Sequence, residues 1–160
     1  MKAVSKLTCD FAIAGGGIIG LSLARALSLK YPDSSIRILE KEAIAGEHAS
    51  GRNSGVLHAG FYYKTDSQKA RFCRVGCKEW TDFCDEHKIK INKCGKIVTA
   101  REESEMPYLY DLYKQGQING VELELISRDE AVRMEPTLRG FGDQVIYSPS
   151  TCVMDINQAM

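Results

Sequence analysis

Along the chain the spacing of apolar residues switches between strand-like and helix-like periods, and the switches mark the elements. Leu7 to Ala14 is a short apolar run of strand length. Ile18 to Lys30 has helical spacing, and its Ile18, Leu21, Leu23 and Leu27 cannot all face water. Pro32 and Asp33 turn the chain, and Ile36, Ile38 and Leu39 then form a second strand that stops at Glu40. Strand, helix and strand in this length predict a βαβ unit, and its right-handed crossover makes the two strands parallel neighbours.

Residues 43–64 lack an apolar period and are rich in Gly, Ser, Asn and His, which predicts a loop longer than most connections. Asp66 or Ser67 caps a long helix running to about Lys88, with Ala70, Cys73, Cys77, Trp80, Phe83 and Cys84 on its buried side. A strand over Gly95 to Ala100 follows. Glu102 to about Asn119 is helical, with Leu109, Leu112 and Tyr113 inward and Asn119-Gly120 as its stop. Val121 to Leu125 alternates like a strand. Ser127 to Glu130 is a capping-box pattern opening a short helix that Pro136 ends, and Gln144 to Met154 offers one or two strands around Pro149. Asp155 has the character of an N-cap, yet only about one helical turn of chain follows it. A single βαβ unit also leaves a parallel sheet with open edges. The expectation is an α/β chain that is the N-terminal piece of a longer protein.

Composition excludes several classes. The 160 residues are 44% hydrophobic and 26% charged, which suits a globular domain with a core. Lys+Arg and Asp+Glu both total 21, so there is no basic surplus to neutralise a nucleic-acid backbone. The longest apolar stretch, Phe11 to Ala24, is shorter than a membrane span and is broken by glycines. Lys2 and Lys6 ahead of it imitate a signal peptide, but Asp10 and the glycines spoil a secretory core. The six cysteines form no C-x-x-C pair and read as reduced thiols in a cytoplasmic setting, with Cys73, Cys77 and Cys84 as small core residues and not a metal site.

Gly15-Gly16-Gly17-Ile18-Ile19-Gly20 fits G-x-G-x-x-G, with a strand leading in, a helix leading out and the acidic Glu40 about twenty residues on. Gly15 permits the tight turn, Gly17 removes a Cβ that would block a pyrophosphate, and Gly20 lets the helix pack close to the strand. Phosphates would meet free N–H groups at the positive end of that helix. Glu40 can accept both ribose hydroxyls, and its charge disfavours a 2′-phosphate despite the neighbouring Lys41. FAD and NAD share this adenosine diphosphate end, so the fingerprint alone leaves both open. His48 to Tyr63 packs small residues, hydroxyls and an amide beside two histidines and three aromatics, which suits backbone lying against a large planar cofactor.

The G-G-G-I-I-G-L-S-L-A start, the L-E-K strand end and the A-S-G-R-N-S-G segment resemble the D-amino-acid-oxidase-type (DAO) FAD-dependent oxidoreductases. N-S-G-V-L-H-A-G-F-Y-Y, K-A-R-F-C, C-G-K and E-P are most similar to the L-2-hydroxyglutarate dehydrogenase/oxidase branch. The likeness runs from about residue 8 to the end. It implies a Rossmann-like FAD-binding part over residues 1–100 and the start of an α+β substrate domain, incomplete, over residues 101–160. It further implies that Gly15, Gly17, Ile19 and Gly20 hold the FAD pyrophosphate, and that Glu40, with Lys41 beside it, serves the ribose. Ser50, Arg52, Asn53, Ser54 and Gly55 would lie along the pyrophosphate, ribityl chain or flavin. Arg52 reads equally as a solvated loop charge, and Asn53 and Ser54 also read as turn formers. Cys152 stands where family members tend to carry glycine, in Ser150-Thr151-Cys152-Val153-Met154-Asp155 against S/D-T-G-I-V-D, so the resemblance does not carry the family's turn over to this position. Family members also continue well beyond this length.

The implied reaction oxidises a 2-hydroxy acid to the 2-oxo acid, with hydride passing to flavin N5 while a base removes the hydroxyl proton. His58 is the named candidate base, against the alternative of a structural histidine bonding a loop carbonyl; His48 and His87 rank behind it. Arg71 and Arg74 are possible carboxylate clamps or plain solvent-facing charges, and Tyr62 and Tyr63 either border the substrate or pack. The electron acceptor would be oxygen or a quinone. Alternatives are an amine or amino-acid oxidase of the same superfamily, or a catalytically incomplete nucleotide-binding fragment. The expected compartment is the cytoplasm, with mitochondrial or peripheral inner-membrane placement as the alternative.

Overall fold

The computed structural model describes residues 8–160. Leu7, Lys2 and Lys6 lie outside the described residues, and the first strand, β1, is Phe11–Ala14. Helix α1 covers Ile18–Lys30 and strand β2 covers Ile36–Leu39. β1 and β2 pair in parallel, Phe11 opposite Ile36 through Ala14 opposite Leu39. This is the βαβ unit that the apolar spacing predicts. Its helix departs from expectation in one respect: no α1 residue is buried, and Leu23 is 47% exposed. Within the described residues only two strands lie in the sheet beside it, too little surface to cover a whole helical face.

The chain divides into two compact units: one runs to Ser54 and includes Ile156–Met160, and the other is Gly55–Asp155. The second unit begins with β3, Val56–Leu57, inside the stretch that the sequence predicts as uninterrupted loop. Its pairing with β8, Cys152–Met154, explains the difference, because a two-residue strand has no period of its own. Helix α2, Gln68–His87, is capped by Ser67, whose side chain accepts from the Ala70 N–H at 3.2 Å. Ala70, Cys77 and Cys84 are its buried residues, and β4, Ile91–Asn92, pairs with β8 on the other edge.

Strand β5 is Lys96–Ala100; a 3₁₀ turn at Glu103–Glu105 leads into α3, Met106–Ile118. Strand β6 is Glu124–Ser127, helix α4 is Arg128–Met134 and strand β7 is Phe141–Ser148. The antiparallel order is β5-β7-β6. The strand expected over 121–125 is thus displaced. Val121 and Leu123 are buried in the main core with Phe61, Leu109, Leu112 and Ile146, but the ladder to β7 starts only at Glu124. Their alternation reports burial, not pairing. After Asp155, which the sequence offers as an N-cap, residues 156–158 form a turn. Cys152 sits in β8 opposite Leu57, 3% exposed, and lies outside the positive-φ positions, so this strand has no need of a glycine there. All six cysteines are free, and no described helix is long and apolar enough to cross a membrane.

Candidate functional site

The first unit gathers its glycine turn, a strand-end carboxylate and a serine loop. Gly15 ends β1 at φ +103, a backbone state open to glycine, and its N–H donates to the Leu39 carbonyl at 2.8 Å. A side chain on Gly15 would point into empty space. Gly20, the third residue of α1, lies so close to the turn that a Cβ would come within 2.0 Å of the Gly15 carbonyl oxygen. A Cβ on Gly17 would meet Ser50 Oγ at 3.0 Å. Gly17 is the N-cap of α1 and has no side chain to cap it; Ser50 performs the task from a distant loop, its Oγ accepting from the Ile18 N–H at 3.0 Å. Asn53 holds that loop by donating from Nδ2 to the Ala49 and Ser50 carbonyls at 3.0 and 2.8 Å.

Glu40 follows β2, and its carboxylate reaches back to the turn. Oε2 accepts from the Gly16 N–H at 2.6 Å, and Oε1 accepts from the Lys41 and Glu42 N–H groups at 2.8 and 3.0 Å. Donation from Glu42 and then Gly16 holds this carboxyl below its ordinary range, so it is an anion at neutral pH. A carboxylate offers about four lone-pair sites, which leaves room for a further donor. The Lys41 ammonium instead pairs with Glu42 at 3.2 Å, and Glu42 also meets His48 Nε2 at 2.8 Å. Arg52 and Ser54 are exposed, as is Ile19 at the start of α1, while Gly55 is buried and opens the second unit. Gly46, which the sequence does not single out, donates its N–H to the Gly16 carbonyl at 3.0 Å and ties the loop to the turn.

In the second unit His58 follows β3 and is exposed at its edge. Partial desolvation of its ring, then the positive charge of Lys96, lowers its pKa from the ordinary 6.5, which leaves the imidazole neutral near pH 7. Lys96 Nζ lies 4.4 Å from the centre of the Tyr62 ring and 5.8 Å from that of Phe61. Tyr63 carries Lys69 over its ring at 4.4 Å. Arg71 and Arg74 instead line a cleft by the α2 N-terminus with Asp66, Ser67 and Asn119.

An ADP-bearing cofactor needs a cradle for two phosphates beside free N–H groups, and an acceptor for a ribose diol. The open space at Gly15, the amino end of α1 and the Glu40 carboxylate fit those needs. A parallel βαβ unit so equipped is a dinucleotide-binding unit.

The family model described as FAD dependent oxidoreductase (DAO) matches residues 10–160, and the chain belongs to that family. It is 42% identical over 158 residues to a mitochondrial L-2-hydroxyglutarate dehydrogenase of Pongo abelii, covering 98% of this chain and 37% of that protein. An L-2-hydroxyglutarate dehydrogenase of Escherichia coli is 42% identical over 154 residues, covering 94% of this chain and 36% of that one. Among solved structures, an FAD-bound L-alpha-glycerophosphate oxidase from Mycoplasma pneumoniae matches with a TM-score of 0.82 at 25% identity, over 94% of this chain and 40% of that one. Glycine oxidase from Geobacillus kaustophilus matches at TM-score 0.79 and 25% identity, over 92% and 41% of the two chains. The chain thus spans little more than a third of its L-2-hydroxyglutarate dehydrogenase relatives. The cofactor of the family is the one expected from the glycine fingerprint and the loop beyond it.

Proposed function

We propose that this chain is the FAD-binding portion of an oxidoreductase that converts a 2-hydroxy acid of the L-2-hydroxyglutarate type to its 2-oxo acid. The observation that carries the reading is the glycine turn, with Glu40 bonded to it and a helix N-terminus capped by the distant Ser50. Identity of 42% to L-2-hydroxyglutarate dehydrogenases supports the substrate class. In this reading Gly15, Gly17, Ile19 and Gly20 receive the diphosphate on their backbone, and Glu40 accepts from the ribose. Lys41, Ser50, Arg52, Asn53, Ser54 and Gly55 flank the cofactor. Residues 1–100 serve FAD, and residues 101–160 begin the substrate domain.

FAD, when bound, supplies the acceptor for the hydride that leaves the substrate. His58 takes the hydroxyl proton on a ring nitrogen, for which a neutral imidazole is required. The electron acceptor is oxygen or a quinone, and the compartment is cytoplasmic, or mitochondrial as in the animal relatives. A second reading, an amino-acid or amine oxidase, is favoured by the likeness to glycine oxidase.

Anaerobic mixing of the FAD-loaded protein with L-2-hydroxyglutarate, or separately with glycine and other amino acids, tests this. Bleaching of the flavin band by the hydroxy acid alone is expected. Bleaching by amino acids alone overturns the hydroxy-acid reading in favour of the second.

A further inference from the structure

Lys96 is placed unlike Lys41, Lys78 and Lys93. Lys41, Lys78 and Lys93 each have a carboxylate partner, at 3.2, 2.5 and 2.7 Å, and all three are exposed. Lys96 is half-buried, and among the described residues none of the ion pairs includes it. It opens β5 opposite the fully buried Ser148 of β7, so its backbone is fixed by the sheet. Its ammonium lies over the rings of Tyr62 and Phe61. An ammonium drawn from water without a counter-ion is costly, and an aromatic face offsets only part of that cost. Burial is what lowers its pKa, with no acidic neighbour to oppose it. The same charge acts on His58. A cation lacking an anion thus lies over the half-exposed phenol of Tyr62, and its charge reaches the neutral imidazole of His58.

We infer that Lys96 receives a carboxylate of the substrate and holds the hydroxy acid next to His58. The inference rests on the hydroxy-acid reading above and adds the group that recognises the acid. A carboxylate on Nζ supplies the missing counter-ion and leaves the hydroxyl-bearing carbon on the His58 side. Bidentate arginine suits a dicarboxylate, and the sequence offers Arg71 and Arg74 either as such clamps or as plain solvent-facing charges. Both are exposed, however, and neither has the burial that makes an unpaired charge seek an anion.

The test uses the FAD-loaded protein and glutarate as the probe, read from the flavin absorbance and from the His58 imidazole resonances. Lys96→Met keeps the apolar stem over the rings and removes the charge; Lys96→Arg keeps the charge. Lys96→Met is expected to weaken glutarate binding by about 30-fold or more while FAD affinity stays as in wild type. Lys96→Arg should stay within about fivefold. Unchanged glutarate affinity in Lys96→Met with FAD retained overturns the role of Lys96 and leaves the functional reading intact. Failure of the wild type to take up FAD overturns that reading, and the inference with it. A second measurement needs no substitution: the ¹³C-dimethylated Lys96 amine should titrate at higher pH when glutarate is added. A titration that glutarate does not move overturns the inference.

Discussion

Replacing Gly20 by alanine perturbs the glycine turn through one contact. The new Cβ would lie 2.0 Å from the Gly15 carbonyl oxygen, 3.2 Å from its carbon and 3.4 Å from Ile13 Cγ2. The oxygen cannot swing away, because Gly15 is held at φ +103 with its N–H on the Leu39 carbonyl. The start of α1 must therefore retreat by roughly 1 to 1.5 Å to restore ordinary van der Waals separation. Overpacking of this kind costs about 1–3 kcal/mol, while alanine's helix propensity returns about 1 kcal/mol. Stability thus changes by a small difference. Cofactor affinity changes more, since in the proposed placement the N–H groups that receive the diphosphate move with the helix. Loss of one charge-assisted hydrogen bond, about 1.5–3 kcal/mol, corresponds to FAD binding weaker by about 10- to 100-fold. Quenching of flavin fluorescence on titrating FAD into the apoprotein measures this directly. Gly76→Ala is the control, because a Cβ there meets nothing within 4 Å, in the middle of α2. It should leave FAD affinity unchanged and raise stability by up to about 1 kcal/mol. Equal FAD affinity in Gly20→Ala and wild type would refute the close approach as the reason for this glycine.

Ser50→Ala removes the side-chain oxygen that caps the Ile18 N–H and should cost about 1 kcal/mol in urea unfolding; an unchanged midpoint contradicts the cap. The His58 imidazole should titrate below 6.5 by NMR and shift upward in Lys96→Met. Because the unfolded chain takes this proton more readily, the stability it contributes is complete above about pH 6.5 and is lost as pH falls below it. A midpoint at or above 6.5 argues against a neutral base. Burial pushes the Cys77 thiol up to about 11, whereas Cys94 is exposed. Ellman's reagent at pH 8 should label Cys94 promptly and Cys77 only after denaturation, and prompt labelling of both contradicts the packing of α2 on β8.

The parts of the fold that could be read from sequence are those where one segment carries its own signal. α1 and β2 have the predicted bounds, because the glycine run and Glu40 punctuate their apolar residues. Ser67 and Ser127 cap the helices that follow them, at 3.2 Å each. Features made by distant pairs were not legible. β3 exists because Val56 and Leu57 meet Val153 and Cys152, nearly a hundred residues away. The lost face of α1 follows from how many strands lie beside it, which no local period encodes. At the site, the residue types were evident, but the reach of Glu40 to the Gly16 N–H and the capping of α1 by Ser50 depend on chain separations of 24 and 32 residues. Lys96 stood in a recognisable C-G-K string, yet its unpaired burial over Tyr62 exists only in three dimensions.

Titrating FAD into the ¹⁵N-labelled protein tests the central point most directly. Equimolar uptake should shift the amide signals of Gly15 to Gly20, Lys41, Glu42 and Ser50 ahead of all others in the first unit. A protein that takes up no FAD, or takes it up while those amides stay still, contradicts the placing of the diphosphate at the amino end of α1.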